Sequence, residues 1–411
     1  GGVRPHLVVT VEGDLDQGAF TDELDYTYTQ KNMQAGVRNE LVFGKTKLNL
    51  LYNFTKTDRL YIDDSVKSRN GIDTYSKGNY SGKEHFFDLY ANFSINKAMK
   101  LTAGADLRIS STKQLYLSIP AWAPPVPLDT NISQQSIYAA LNLTKDNFYN
   151  FEAGGRINFH SAYGNHIVFN FNQSYLLNER IKVFANFSSG YRTPSLYQLY
   201  SEYGNKALKP EASLSAETGL QYFSAGKKMN ARIAYFGRQV KDVLFFYTDP
   251  VSYKSQYINQ DRQNDRGLEL DVNYTGLKNS SIKFFYNYVQ GKIRTKDASG
   301  KDTSFSNLLR RPKHSAVITA NTLIKKRLNT GASLSFTGSR KDRYFDAVSF
   351  QSVETTLKAY VLIGLYVDYG FLNNRLMVFA DLRNIAGAKY TEVAGFNTPG
   401  FNTNAGIRFN F

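Results

Sequence analysis

KLNLLYNFTKT, residues 47–57, alternates along its length: Leu48, Leu50, Tyr52 and Phe54 fall on one side, Asn49, Asn53 and Thr55 on the other. A period of two is the pattern of a strand with one apolar and one polar face. It returns in HFFDLYANFSI (85–95), where Phe87, Leu89, Ala91, Phe93 and Ile95 oppose Asp88, Asn92 and Ser94. It returns again in SIKFFYNYVQG (281–291), with Ile282, Phe284, Tyr286 and Tyr288 against Lys283 and Asn287. The chain ends the same way, in FNTNAGIRFNF (401–411).

The connections between such segments also alternate. Short polar turns stand at FGKTK, INKAM, TKDNF, LNERI, SAGKK, GLKNS, IKKRL and GFLNN. Between them lie mostly longer connections, at 13–31, 58–83, 110–133, 190–212, 291–310, 339–356 and 384–401, with shorter ones at 161–165 and 249–255. Short turns on one rim and long loops on the other are the rhythm of an up-and-down outer-membrane barrel. The nine long-side connections predict about 18 strands. A sandwich or a propeller predicts no such rhythm, and no blade repeat of about 40 residues is present.

Composition agrees. The 411 residues include 29 Tyr, 29 Phe, one Trp and no Cys, so disulfides, thiolate chemistry and Cys-type zinc sites are excluded. The longest apolar run, AYVLIGLYV at 359–367, is far below the ~18 residues of a membrane helix. A barrel hides its membrane signal in short alternating segments, so the polar average does not argue against a membrane. The net charge of +15 is spread along the chain rather than gathered on one element, which argues against nucleic acid as a partner. It fits lysines and arginines near anionic lipid headgroups. No linker divides the chain, and residues 1–411 read as one domain. The start, GGVRPHLVVTVEG, lacks the charged and apolar regions of a secretory leader. The expectation is that a leader was removed or that the chain starts partway through a longer protein.

Two motifs carry a resemblance. NAGIRFNF (404–411), with Gly406, Phe409 and the terminal Phe411, looks like the signal by which outer-membrane barrels are recognised by the assembly machinery. GYRTPSLYQLYSEYGNKALKPE (190–211) resembles the barrel-loop signature of TonB-dependent outer-membrane receptors. EAGGRINFHSAYGNH (152–166), NDRGLELDVNY (264–274), LLRRPKHSAV (308–317) and VFADLRNIAGAKYTEVAGFNTPG (378–400) follow in the order of that family. Segment order and lengths look most like the cobalamin receptor branch. The resemblance implies a C-terminal barrel portion, about 18 strands of about 22, without the N-terminal plug and its TonB-contacting segment. It implies an outer-membrane receptor importing cobalamin or another corrinoid, energised through TonB in the full-length protein. A ferric siderophore or haem receptor is the alternative, and a passive diffusion pore the alternative of another class.

Candidate sites follow. The tyrosines of 190–211 are expected at the outer interface, where amphipathic rings sit at headgroup level, with Tyr200 and Tyr203 as candidate ligand contacts. LSIPAWAPPVPLD (117–129) holds Trp122 and four of the ten prolines, a rigid apolar loop that calls for an occupant. RKDRYFDAVSF (340–350) offers Arg343, Tyr344 and Phe345 to an amide-rich ligand or an anionic iron chelate, or to lipopolysaccharide. EGDLDQGAFTDELD (12–25) clusters Asp14, Asp16 and Asp22 with further carboxylates, a set that holds calcium if they converge; otherwise it is a solvated acidic loop. His160 and His166 flank a tight loop where a haem ligand could stand. No G-x-S-x-G, HExxH or P-loop appears, and no enzyme is expected.

Overall fold

The computed structural model describes residues 7–10, 27–63, 75–119, 127–146, 148–249, 254–296, 301–306, 309–346 and 351–409. The strands are β1 (Leu7–Thr10), β2 (Thr27–Phe43), β3 (Thr46–Asp63), β4 (Tyr75–Ser94), β5 (Met99–Ile119), β6 (Leu128–Lys145), β7 (Tyr149–His160), β8 (Gly164–Asn178), β9 (Ile181–Arg192), β10 (Glu211–Phe223) and β11 (Met229–Thr248). They continue as β12 (Ser255–Tyr274), β13 (Ser280–Lys296), β14 (Asp302–Ser306), β15 (His314–Ile324), β16 (Leu328–Thr337), β17 (Arg340–Asp346), β18 (Gln351–Leu357), β19 (Tyr360–Phe371), β20 (Leu376–Arg383) and β21 (Asn402–Phe409). A short helix, α1 (Leu196–Tyr200), lies between β9 and β10.

Neighbours in sequence pair antiparallel in one sheet of 19 strands. β14 and β15 both pair with β13, at its two ends, so the sheet is 18 strands wide. All eight short turns close hairpins where the sequence places them. Several use residues in the left-handed region, among them Gly44 (φ 58) and Asn279 (φ 56). The long connections are shorter than the sequence reading has them. β3, β4 and β5 run on to Asp63, back to Tyr75 and on to Ile119, because polar alternation sustains pairing after the apolar face has ended. Within 339–356 stands a separate ribbon, β17 with β18.

The polarity of the sheet is inverted relative to a water-soluble core. Along β10, Glu211, Ser213, Ser215, Glu217, Gly219 and Gln221 are half-buried, while Ala212, Leu214, Ala216, Thr218 and Leu220 are exposed. Leu214 is 45% and Leu220 50% exposed, whereas Asn49 and Ser136 are 1% and Asp265 6%. The polar face is therefore the concave one, where side chains crowd, and the apolar face is convex. Such a surface is stable only against lipid. On the concave face charges are paired: Arg156 with Asp106, Arg238 with Asp265 (Nε to Oδ2 3.1 Å), and Arg232 with both Glu217 and Glu269. Among the described residues no helix is long and apolar enough to cross a membrane.

Two edges stay free among the described residues. β1 covers β2 only as far as Gln30, and β21 pairs with β20 alone. From Lys31 to Phe43 nearly every β2 side chain is exposed, on both faces. In hydrocarbon each unpaired backbone group costs several kcal/mol, so these edges are where the sheet demands further strands.

The β17–β18 ribbon is pinned at its base. Asp342, 1% exposed, accepts from Arg310 Nε (2.7 Å) and from the backbone N–H groups of Arg343 (2.7 Å) and Ala394 (2.7 Å). Arg340, read from sequence as part of an external loop, is buried. It donates to the Thr391 carbonyl and lies over the Tyr360 ring at 5.2 Å.

Asp342→Ala removes charge-assisted bonds that are each worth about 1.5–3 kcal/mol. Amide exchange at Arg343 and Ala394 is expected to quicken at least ~10-fold, with β3–β5 unchanged; uniform quickening would show that the ribbon is no separate unit. On the convex face, Leu270→Arg near mid-band is expected to destabilise the barrel in phospholipid vesicles by about 2–4 kcal/mol. Asp271→Asn, one residue away on the concave face, should cost less than about 1 kcal/mol in the same denaturant titration.

Candidate functional site

Much of the signature stretch 190–211 builds a scaffold. Arg192 Nε donates to Glu211 (2.6 Å), tying the end of β9 to the start of β10. Glu211 also accepts from the Leu244 N–H (2.7 Å). Pro194 is fully buried. Ser195 opens α1 as a capping box: its hydroxyl accepts from the Gln198 N–H (3.2 Å), and the Gln198 side chain accepts from the Ser195 N–H (2.9 Å). Leu199 and Leu208 are buried. Gly204 presses on the Leu199 carbonyl so closely that a Cβ would stand 2.7 Å away. The loop then pairs with β12: the Tyr257 N–H donates to the Tyr203 carbonyl (3.0 Å), and Asn259 bonds both backbone groups of Lys209 (2.8 and 2.9 Å).

Held in this way, α1 turns Tyr197 toward the concave face of β3–β5. Its ring centre lies 6.4 Å from that of Tyr80 and 6.3 Å from that of Tyr257. Tyr80 meets Tyr61 edge-on at 5.7 Å, and Tyr61 meets Tyr28 at a tilt, 4.8 Å between centres. On the other side Tyr257 contacts Phe246 (5.1 Å), which contacts Tyr203 (5.4 Å). Seven rings thus run across the mouth at the long-connection end. Four of them, Tyr61, Tyr80, Tyr197 and Tyr203, line a cavity of about 740 Å³ together with Arg59, Tyr116 and Glu202, among others. Gly78 belongs to the same wall, and a Cβ there would strike the Tyr80 ring at 2.6 Å.

Arg59 donates to Gln30 (3.1 Å), and Glu202 accepts from the Tyr197 hydroxyl (3.2 Å). Burial, reinforced by the Glu202 carboxylate, pushes the phenols of Tyr197 and Tyr203 above their ordinary range. Both stay protonated at neutral pH and offer hydroxyls and ring faces, with no anion. The cavity therefore offers ring faces and hydrogen-bonding groups, with one guanidinium and one carboxylate at its walls, and its size is that of a small-molecule site. No catalytic constellation is part of it.

The sequence reading had Tyr203 here but not its partners. Tyr200 does not line the cavity; its ring lies under Lys206 Nζ at 5.4 Å. Nor do the signature tyrosines form an outer belt as expected, because the capped helix carries Tyr197 inward. Arg343 and Tyr344 stand on the β17–β18 ribbon, opposite Glu354 and Val353, and neither lines the cavity. Phe345 pairs with Ser352, and its side chain lies outside the described residues. Trp122, Asp14, Asp16, Asp22 and Phe411 also lie outside them. Among the described residues no three metal-ligating side chains converge. His160 is buried and its Nδ1 accepts from the Ala162 N–H (3.1 Å), while His166 stacks on Tyr191 at 3.7 Å. Both are engaged in the rim of the sheet. Gly406 lies opposite Phe379, whose ring would meet a Cβ at 2.8 Å, and Phe409 opposite Leu376.

Comparison with known structures finds the same architecture in full-size receptors. The pyoverdine outer membrane receptor FpvA from Pseudomonas aeruginosa PAO1 superposes with a TM-score of 0.73 at 15% identity, covering 96% of this chain and 63% of its own. The siderophore receptor PirA from Acinetobacter baumannii gives 0.67 at 16%, covering 94% and 63%. The ferric-catecholate import receptor Fiu from K12 E. coli gives 0.70 at 15%, covering 95% and 65%. The chain thus spans less than two-thirds of the length of the receptors it matches. Residues 4–385 match the family described as TonB dependent receptor-like, beta-barrel. The chain belongs to that family of outer-membrane transport receptors.

Proposed function

We propose that this barrel wall serves a receptor that captures a ferric siderophore at its outer mouth and imports it with energy supplied through TonB. The observation that carries the reading is the aromatic cavity. Tyr61, Tyr80, Tyr116 and Tyr197 offer ring faces and hydroxyls, and Arg59 a cation. That combination suits a compact chelate with flat, conjugated or amide-rich groups and residual negative charge. The known structures with the same architecture include receptors named for pyoverdine, for siderophores and for a ferric catecholate, which supports the class. The corrinoid that headed the sequence reading gains no comparable support, and the iron chelate takes its place. In this reading the paired charges of the concave face, such as Arg238–Asp265 and Arg232–Glu217, line the passage beneath the cavity.

The test is calorimetry on the receptor in detergent with ferric catecholate, ferric hydroxamate, ferric pyoverdine-type chelates and cyanocobalamin, with and without calcium chelation. One ferric chelate is expected to bind, and cyanocobalamin not. Nanomolar cyanocobalamin binding with no chelate bound would overturn the reading. Tyr80→Ala and Tyr197→Ala should each weaken binding about 10-fold, the worth of one stacked ring.

The raised phenols predict a pH dependence. A group whose folded-state pKa lies above its unfolded value stabilises fully below the unfolded value, near 10, and loses that contribution as pH rises beyond it. Docking of α1, followed by tyrosinate absorbance, is therefore expected to hold through pH ~9 and fail only above ~10. Loss of docking near neutrality would refute the buried placement of Tyr197.

A further inference from the structure

The convex face of β11–β13 carries four apolar rows: Met229–Tyr274–Ile282, Ala231–Val272–Phe284, Ile233–Leu270–Tyr286 and Tyr235–Leu268–Tyr288. The next rows toward the long connections are Gly237–Arg266–Gln290, Gln239–Asn264–Lys292 and Lys241–Arg262–Arg294. All five cations are exposed, whereas Val240, Gln263, Asp265 and Ile293, which alternate with them on the concave face, are buried. In the last row Lys241 stands directly opposite Arg262, and Arg262 directly opposite Arg294. Like charges directly opposite destabilise a strand pair, and here three stand in line.

Among the described residues no carboxylate neutralises them. Among the described residues none of the five forms an ion pair. Asp242 and Asp261 follow one residue along, at the step where the left-handed backbone of Asp242 (φ 53) interrupts the ladder. Asp302 lies two positions beyond Ser304, the partner of Arg294. Elsewhere on the convex outer rim two lysines are matched, Lys56 by Asp58 at 2.8 Å and Lys113 by Asp129 at 2.7 Å.

We propose that this surface binds a phosphorylated headgroup of the outer-leaflet lipid, the bisphosphorylated saccharide of lipopolysaccharide. Position chooses the lipid. At ~3.4 Å per residue, Arg266 stands about 7 Å and the triple row about 20 Å along the strands from the top of the apolar band. The side chains point away from the concave face, toward the place where a lipid standing against the band presents its headgroup. Guanidinium forks take phosphate oxygens in pairs, and each phosphate removes the repulsion between two neighbouring cations. The headgroup would thereby supply the counter-charge that the sheet lacks.

The experiment uses the receptor extracted from outer membranes in a neutral detergent, titrated with fluorescent bisphosphorylated lipid A in mixed micelles. Lys241→Gln/Arg262→Gln/Arg294→Gln is expected to weaken binding on the order of 100-fold, at about fivefold per cation. Lys241→Arg/Arg262→Lys/Arg294→Lys, which keeps the charges, should bind as the parent does. Lys325→Gln/Lys326→Gln/Arg327→Gln, at the short-turn rim, should also leave binding unchanged. Equal weakening by that control, or no weakening by the first variant, would overturn the proposal. So would equal binding of dephosphorylated lipid A by the parent, or competition by inorganic phosphate as strong as by lipid A itself.

Discussion

Hydrocarbon offers a backbone amide or carbonyl no partner, and that penalty shapes the rest of this molecule. It requires that crossings be made by strands whose bonds are met by neighbours, and it makes register a shared property of the whole sheet. From β2 to β13 each strand pairs with the next over at least most of the shorter strand's length. A slip of one residue in any of them would turn Leu, Ile and Phe to the concave side and Asp, Glu and Arg to the lipid. The same penalty gives meaning to the edges of β2 and β21, where the ladder stops among the described residues.

Inverting the polarity moves the ordering forces to the concave side. The buried hydrophobic cluster found there is small, Val240, Val243 and Ile293 with Phe245 and Phe305 against it. What crowds the concave face is a set of reciprocal polar contacts. Asn170 and Asn172 both donate to Glu152 (2.8 and 3.0 Å), and Tyr138 donates to Asp88 (2.7 Å). Glycines make room for rings on this face: at Gly267 a Cβ would meet the Phe236 ring at 2.4 Å, so the ring lies across the backbone of the facing strand, as aromatic rescue of a glycine requires.

Much of this was legible in the sequence, and what was not has a physical reason. Parity in KLNLLYNFTKT predicts which side chains meet lipid, and the polar turns predict the hairpins, because both depend only on local period and on residues suited to a turn. Strand ends above the membrane were misjudged, since hydrophobicity ceases there while pairing continues. The Ser195–Gln198 capping box is readable as S-x-x-Q, but it stands within a stretch whose period announces no helix. Tyr61 shares the parity of Asn49 and Asn53, and so was readable as a concave residue rather than a belt residue. Its approach to Tyr80, Tyr197 and Tyr257 was not readable, because β3, α1 and β12 are brought together only by the curvature of the sheet.

The placement of these residues separates three tasks that the 190–211 stretch seemed to combine. Arg192, Pro194, Ser195, Leu199, Leu208 and Glu211 hold the loop, and none of them is free to recognise anything. In the proposed reading recognition falls instead to rings that the loop and the strands bring together, which can change without disturbing the scaffold so long as their parity is kept. The convex cations of β11–β13 stand on the other side of the same strands, where alternation isolates them from the concave carboxylates: Arg266 is next in sequence to Asp265, yet Asp265 pairs with Arg238. One strand can therefore answer to two solvents at once. A substitution of a concave charge such as Asp265 need not disturb the convex cation Arg266, because the two are a single residue apart in sequence and on opposite faces of the sheet.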